Sequence, residues 1–258
     1  VSVRDNLQKI LKAKVLPHAR LLPGTRGTGK TSTARIISKF VNCTSKDRPC
    51  NTCEMCKEIT EGKAVDVVEI DAASNRGIDE IRQLKEKIAL APMKAKYKAF
   101  IIDEAHMLTT EAENALLKTL EEPPPNTLFF LCTTEENKLL DTVISRCTKL
   151  EFGKPSIKEI ADKLLVVAEE EKFKLKKEEA EVLAKKARGS FRDGIKLLEQ
   201  AIMSGKVEME EENDILELVL ENKKDQAIAK IEKLAEKGTD FRNVIENLIQ
   251  TLHVNLLV

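Results

Sequence analysis

The chain has 258 residues, enough for two or three small domains, and its 43 basic and 43 acidic residues leave no net charge. This balance excludes nucleic-acid binding through overall charge, so any such contact would need a local basic patch. The lack of tryptophan and the single tyrosine argue against an aromatic platform for stacking bases. No apolar run is long enough to span a bilayer and no signal-peptide pattern is present, so we expect a cytoplasmic protein without membrane contact.

Predicted strands and helices alternate along the first 154 residues. In chain order, we predict a helix over 1–14, a strand ending at 22, a helix over 32–42, a strand over 65–70, a helix over 78–88, a strand over 100–102, a helix over 110–122, a strand over 128–132, a helix over 141–144 and a strand over 149–152. The strands are nearly all apolar, which is typical of an α/β fold whose parallel sheet carries helices on both faces. Thr110 and Glu113 have the spacing of a capping box.

Beyond Pro155 the pattern is helical only. Helices are predicted over 157–170, 177–187 and 193–203, and further helices follow an acidic stretch at 208–212. We therefore place one domain boundary at about 153–156 and a second between 204 and 213.

A phosphate-binding P-loop pattern, G-x-x-x-x-G-K-T, lies between the first strand and the following helix. It comprises Gly24, Thr25, Arg26, Gly27, Thr28, Gly29, Lys30 and Thr31, and Ser32 continues into the helix. The glycines let backbone N–H groups approach a triphosphate, and the helix N-terminus adds partial positive charge. We predict that Lys30 reaches the β- and γ-phosphates of ATP and that Thr31 binds Mg²⁺.

Polar residues follow two later strands. Asp103 and Glu104, preceded by a P-loop earlier in the chain, indicate a Walker B motif in which Asp103 holds Mg²⁺ and Glu104 activates water. Thr133 and Thr134 could contact the γ-phosphate or the attacking water, or could simply cap a helix. Because ligands bind beyond the carboxyl ends of parallel strands, these positions support a nucleotide site. We interpret His106 as structural.

Four cysteines form the second candidate site: Cys43, Cys50, Cys53 and Cys56. Four thiolates at this close spacing suit a closed, tetrahedral and structural Zn²⁺ site. An iron–sulfur cluster is the main alternative, although nothing else in the sequence indicates redox chemistry. We expect Cys132 and Cys147 to be ordinary buried or loop thiols.

Two arginines are further candidates. Arg146, within Ser145-Arg146-Cys147, is either a solvated surface residue or an arginine finger that reaches a neighbouring subunit's ATP. Arg192 could touch the γ-phosphate from the helical region. Lys94, Lys96 and Lys98 form a small basic patch, which is either solvated or a contact for DNA or a partner.

Taken together, the motifs resemble those of the gamma/tau subunit family of bacterial DNA polymerase III, the clamp-loader ATPases of the AAA+ class. Besides the P-loop and the cysteines, the resemblance is carried by EIDAASNRG at 69–77, DEAHML at 103–108, LLKTLEEP at 116–123, SRC at 145–147 and GSFRD at 189–193. The chain departs from the family pattern at Arg20, which puts a charge where the first strand is expected to start.

The resemblance implies an AAA+ ATPase domain over 1–154 with a zinc module at 43–56, a helical lid over 155–206 and a partial helical collar over 207–258. It implies ATP, Mg²⁺ and Zn²⁺ as cofactors. It further implies that Arg146 is a trans-acting finger, Arg192 is sensor 2, and Thr134 or Thr133 is sensor 1.

The activity implied by this resemblance is ATP hydrolysis within the DNA-directed DNA polymerase complex. The implied partners are delta, delta-prime, further gamma/tau copies, the sliding clamp and primer–template DNA, in a replisome associated with the nucleoid. Two alternatives remain at this point: a non-hydrolysing AAA+ scaffold subunit, and another AAA+ motor acting on DNA.

Overall fold

A computed structural model describes residues 17–75, 78–207, 218–219 and 222–236, together with residues 241, 245 and 249. The predicted first helix over 1–14 lies outside the described residues, as does most of the predicted collar after 207. In the described ranges, no helix is both long and apolar enough to cross a membrane.

Five parallel strands form one sheet, in agreement with the predicted α/β fold. They are β1 (Ala19–Pro23), β2 (Val67–Asp71), β3 (Lys98–Asp103), β4 (Thr127–Thr133) and β5 (Thr148–Lys149). Their order is β2-β3-β4-β1-β5, so β1 lies between β4 and β5. β2 begins two residues later than predicted. β5 is shorter than predicted, and its continuation is reduced to an isolated bridge between Gly24 and Phe152.

Helices cover both faces of this sheet, because successive side chains of a strand point to opposite faces. The helices of this part of the chain are α1 (Lys30–Asn42), α2 (Glu54–Thr60), α3 (Ile78–Ala89), α4 (Thr110–Glu121) and α5 (Asp141–Ile144), of which α2 packs beside α1. On β1, Leu21 is buried in a core that includes Leu116 of α4, whereas its neighbour Leu22 is buried with Ile37 of α1. The predicted helices on both faces are therefore confirmed.

A third core lies in the helical region. It is built by α6 (Ile157–Glu170), α7 (Lys177–Lys186) and α8 (Phe191–Ser204). A further helix, α9 (Lys224–Glu236), follows later in the chain. A capping box starts α6, where Ser156 and Glu159 bond each other's backbone N–H groups. Gly194 lets α8 approach α6 closely, because a Cβ at this position would lie 3.1 Å from Ile160.

Buried charges fasten the loop between α3 and β3. Asp66 is 2% exposed and accepts hydrogen bonds from the backbone N–H groups of Met93, Lys94 and Ala95. Lys98 is 5% exposed, and its ammonium donates to the carbonyl oxygen of Lys87 at 2.7 Å, at the C-terminal end of α3. The interpretation of Lys98 as part of a surface patch is therefore wrong, since its charge binds helix carbonyls.

The N-terminal cap of α4 differs from the prediction. The cap is Thr109, whose hydroxyl accepts from the backbone N–H of Ala112, so the capping box of Thr110 and Glu113 is wrong. Glu113 is instead buried and accepts a 2.9 Å hydrogen bond from the backbone N–H of Leu140. Its carboxylate therefore connects α4 to the segment before α5.

Arg20 is an unusual member of the sheet. It lies within β1 and is only 2% exposed. Within the described part of the chain, its Nη2 atom has no hydrogen-bond partner. Burial consequently lowers the pKa of this guanidinium. The charge expected at the start of the first strand is thus buried in the sheet.

Candidate functional site

A cavity of about 370 Å³ opens where the P-loop, the end of β3 and the start of α8 meet. Its lining residues are Arg26, Gly27, Gly29, Lys30, Thr31, Ser32, Asp103, Glu104, Phe191, Arg192, Ile195 and Lys196. Because β1, β4 and β3 are neighbours, the loops at their carboxyl ends lie side by side. The cavity therefore brings together residues from three separate parts of the sequence.

The P-loop turns tightly between β1 and α1. Gly29, at the N-terminal end of α1, has a left-handed backbone with a φ of 96°, which glycine adopts without steric cost. The ammonium of Lys30 donates to the carbonyl oxygens of Gly24 at 2.9 Å and Thr25 at 3.0 Å. This cation thus lies inside its own loop, beside the N-terminus of α1.

The pKa of Lys30 reflects its position in the cavity. Burial of the amine lowers this pKa. The carboxylates of Glu104 and Asp103 act in the opposite direction, and the charge of Arg192 lowers the pKa further. Charges from all three segments are therefore close enough to influence one another.

Two oxygen-bearing side chains that line the cavity contact each other. The hydroxyl of Thr31 donates a 2.8 Å hydrogen bond to Oδ2 of Asp103. The other oxygen of this carboxylate, Oδ1, accepts from the backbone N–H of Glu104 at 3.0 Å. A hydroxyl and a carboxylate are hard oxygen ligands, so this pair fits Mg²⁺ accompanied by phosphate oxygens.

Glu104 directly follows β3 and contacts a residue that directly follows β4. Its backbone is left-handed with a φ of 49°, which is uncommon for a residue other than glycine. Oε2 of its carboxylate accepts a 3.2 Å hydrogen bond from the hydroxyl of Thr134. Thr133 is fully buried, and its hydroxyl accepts from the backbone N–H of Glu135. Of the two threonines, Thr134 is therefore the one bonded to the carboxylate.

His106 adds a contact that the sequence did not predict. Its Nδ1 lies 3.0 Å from Oγ1 of Thr133 and 3.6 Å from Oε2 of Glu104, while its Nε2 lies 3.5 Å from Glu135. Only 6% of the side chain is exposed. The histidine is packed as a structural residue would be, yet it also connects Thr133 to the surroundings of Glu104.

The helical region contacts the P-loop directly. The backbone N–H of Phe191 donates to the carbonyl oxygen of Gly27 at 3.1 Å. A Cβ on Gly27 would lie 2.1 Å from Oγ of Ser190, so only glycine permits this approach. Arg192 lines the cavity, as do Ile195 and Lys196, which the sequence analysis missed. Their helical spacing from Arg192 was the signal that could have identified them.

Arg146 does not line the cavity. It follows α5, where its Nε donates to Oε1 of Glu121 at 2.8 Å and its Nη1 donates to the carbonyl oxygen of Thr142 at 2.6 Å. Its Nη2 also bonds Glu121. Within its own chain, this guanidinium is thus paired with the end of α4.

The four predicted cysteines converge, although they lie on different elements. Their Sγ atoms all lie within 4.8 Å of one another. Cys43 ends α1, Cys53 caps α2, and the backbone N–H groups of Cys50 and Cys53 donate to Sγ of Cys43 and Cys50. A tetrahedral Zn–S site needs sulfurs about 3.8 Å apart, so this donor set fits zinc.

The remaining two cysteines lie outside this cluster, as predicted. Cys132 is fully buried in β4, and burial raises its pKa. Cys147 is half-buried, and the same effect raises its pKa to about 12. Neither thiol is therefore activated as a nucleophile, since activation needs a lowered pKa.

Comparisons with known protein families agree with this architecture. The model for "DNA polymerase III, delta subunit" matches residues 2–156, and that for "DNA polymerase III clamp loader subunit, ATPase lid domain" matches residues 159–207. The RuvB Holliday junction branch migration motor of Thermotoga maritima has a similar fold, with a TM-score of 0.58 and 19% sequence identity, over 92% of this chain and 81% of that chain. The sheet, the P-loop and the helical lid together define an ATPase-type fold of the AAA+ class.

Similarity in sequence identifies a narrower family than similarity in fold. The chain is 39% identical to the DNA polymerase III subunit tau of Bacillus subtilis over 96% of its own length. It is 36% identical to the DNA polymerase III subunit gamma of Buchnera aphidicola subsp. Acyrthosiphon pisum, over 92% of this chain and 70% of that protein. The chain belongs to the gamma/tau family of DNA polymerase III clamp-loader subunits. It spans about half the length of the Bacillus subtilis relative, 47%.

Proposed function

We propose that this chain is an ATP-driven motor subunit of a bacterial clamp loader, which opens the sliding clamp and loads it onto primed DNA. The observation that carries the proposal is the 2.8 Å hydrogen bond between Thr31 and Asp103 beside Lys30. A scaffold that had lost hydrolysis would not need phosphate-binding, metal-binding and water-activating groups in one cavity. The reaction class is therefore hydrolysis of the terminal phosphate of ATP.

Each group at the cavity has a role in this proposal. Residues 24–32 bind the triphosphate through backbone N–H groups, and Lys30 leaves its loop carbonyls to contact the β- and γ-phosphates. Thr31 and Asp103 hold Mg²⁺, which when bound neutralises developing charge on the phosphate oxygens. Glu104 accepts a proton from the attacking water, and Thr134 orients both this carboxylate and the γ-phosphate. Arg192 contacts the γ-phosphate from the lid.

Arg146 acts on a neighbouring subunit in this proposal. The guanidinium is paired with Glu121, is partly exposed and does not line the cavity of its own chain. An arginine finger supplied in trans makes hydrolysis depend on assembly. The proposed partners are delta, delta-prime, further gamma/tau copies, the sliding clamp and primer–template DNA, in the cytoplasm at the nucleoid-associated replisome.

The proposal divides the chain into three parts. An ATPase domain covers 1–154, a lid covers 155–206, and the start of a helical collar covers 207–258. Within the first part, Cys43, Cys50, Cys53 and Cys56 hold a structural zinc ion that fixes the connection between α1 and α2. Four thiolates fill the coordination shell, so this metal takes no part in hydrolysis.

The decisive experiment is ATP turnover by the assembled complex, with and without clamp and primed DNA. We expect stimulation by both, and a loss of about a hundredfold or more in Lys30→Ala. Lys163→Ala, on the exposed side of α6, is the matched control and should keep its rate. Unchanged turnover in Lys30→Ala would contradict the motor function, and nucleotide binding without any turnover would instead favour a scaffold subunit.

A further inference from the structure

The lid helix α8 presents two parallel rows of side chains to the cavity. Phe191 and Ile195 form an apolar row, and Arg192 and Lys196 form a cationic row beside it. Residues four positions apart lie on one helix face, about 6 Å apart. The second cation is therefore placed one helical turn beyond the first, over the same cavity.

Contacts at the start of α8 define where this row lies. Phe191 is hydrogen-bonded to Gly27, and a Cβ on Gly27 would lie 3.3 Å from Cβ of Arg192. Arg192 is consequently adjacent to the middle of the P-loop. Lys196 follows about 6 Å further along the helix axis and still borders the cavity.

The charges at the cavity are strongly unequal. Its lining contains four cations, Arg26, Lys30, Arg192 and Lys196, but only two carboxylates. Both carboxylates are engaged, since Asp103 accepts from Thr31 and Glu104 from Thr134. Lys196 is exposed and, within the described residues, forms no hydrogen bond or ion pair. Its ammonium is thus available to an anion that enters the cavity.

We propose that Lys196 is a second phosphate-binding cation contributed by the lid, which contacts the polyphosphate chain of the nucleotide together with Arg192. The proposal rests on the proposed function, because it requires a nucleoside triphosphate in this cavity. Lysine suits this role, since its flexible stem lets a compact ammonium reach oxygens a turn away from its own backbone. A lysine that was merely solvated at this position would leave nucleotide affinity unchanged.

The test measures binding of Mg-ATP, Mg-ADP and AMP to the 258-residue chain by calorimetry. We expect Lys196→Met to weaken Mg-ATP and Mg-ADP binding about three- to tenfold, with less effect as salt increases. AMP, which lacks the polyphosphate, should change less than about twofold. Lys196→Arg keeps the charge and should retain most of the affinity, and Lys163→Met should bind as the wild type does.

Two results would overturn the inference. One is Mg-ATP affinity in Lys196→Met equal to that of the wild type, and the other is an equal loss for AMP and ATP. Failure of the proposed function is distinguishable from both, because the wild-type chain itself would then show no binding of Mg-ATP. Wild-type binding combined with unchanged affinity in Lys196→Met contradicts only the role of Lys196.

Discussion

The hydroxyl of Thr31 donates a 2.8 Å hydrogen bond to Oδ2 of Asp103, although the two residues are 72 positions apart in the chain. One belongs to the first turn of α1 and the other ends β3. The contact exists because β4 alone separates β1 from β3 in the sheet. It joins the end of the P-loop to the end of β3, the two segments to which the proposed function assigns phosphate and metal binding.

Replacing Thr31 should separate metal-dependent from metal-independent binding. Thr31→Val removes the hydroxyl but keeps the shape, so we expect Mg²⁺-dependent hydrolysis to fall about a hundredfold. ATP affinity measured in the presence of a chelator should change less than about threefold. Thr148→Val, at an exposed position, is the control. An equal loss of affinity with and without Mg²⁺ would argue against a metal ligand.

His106 should affect catalysis more than binding. His106→Ala removes the partner of Thr133 and the imidazole beside Glu104, so we expect kcat to fall about tenfold or more while KM for ATP changes little. His106→Asn places an amide near Nδ1 and should recover part of the rate. Thermal unfolding of both variants separates this effect from instability. A rise in KM with kcat unchanged would show that the histidine does not position Glu104.

Metal removal should destabilise the protein without a direct effect on hydrolysis chemistry. We expect about one zinc ion per chain by elemental analysis, and a drop in Tm after treatment with a strong chelator. Cys53→Ser should lose the metal, because it removes one of four thiolates. Cys147→Ser lies outside the cluster and should keep the full zinc content. Iron with a visible absorption band would instead indicate an iron–sulfur cluster.

The stability of the chain should depend on Asp66 at acidic pH. Burial raises the pKa of this carboxyl, but the hydrogen bonds from Ala95, Met93 and Lys94 lower it, and the net shift is downward. A lowered folded-state pKa adds stability that is fully present above the ordinary value of about 3.9 and is lost as pH falls through the folded-state value.

Asp66→Asn should therefore cost about 1–3 kcal/mol at neutral pH, because one backbone N–H group loses its acceptor. The difference in the free energy of unfolding between variant and wild type should decrease as pH falls below about 4. Denaturant unfolding at several pH values measures both effects. Glu113→Gln is a useful contrast, since burial raises the pKa of Glu113. The contribution of this carboxyl to the free energy of unfolding therefore decreases as pH rises, opposite to that of Asp66. A variant as stable as the wild type at pH 7 would contradict the role given to Asp66.

Much of the fold could be predicted because helices and strands are encoded by local periodicity. The bounds of α5 and α6 agree with their apolar spacing, and the short buried strands were found as runs of apolar residues. The order of the strands could not be predicted in this way. Parallel strands are apolar on both faces, so their sequences carry little information about which neighbours they pair with.

Individual contacts were harder to predict than elements. Two threonines in succession both had suitable hydroxyls for the cap of α4. The helix begins at Thr110 as predicted, but its cap is Thr109, and Glu113 bonds the backbone N–H of Leu140 instead of joining a capping box. Lys98 looked like a surface lysine, yet it is buried and its ammonium donates to the carbonyl oxygen of Lys87 at the end of α3. Long side chains bury their stems and place the charge at a distance, which no sequence pattern reports.

The sequence alone determined the P-loop, the acidic pair after β3 and the four cysteines, because these chemical groups are defined by residue type at short spacing. Tertiary structure decided that Thr31 meets Asp103, that Thr134 and not Thr133 bonds Glu104, and that Lys196 borders the cavity. The physical reason is that such contacts depend on sheet order and on the direction in which each helix approaches the sheet. Those are properties of the whole folded chain, whereas spacing is a property of each segment.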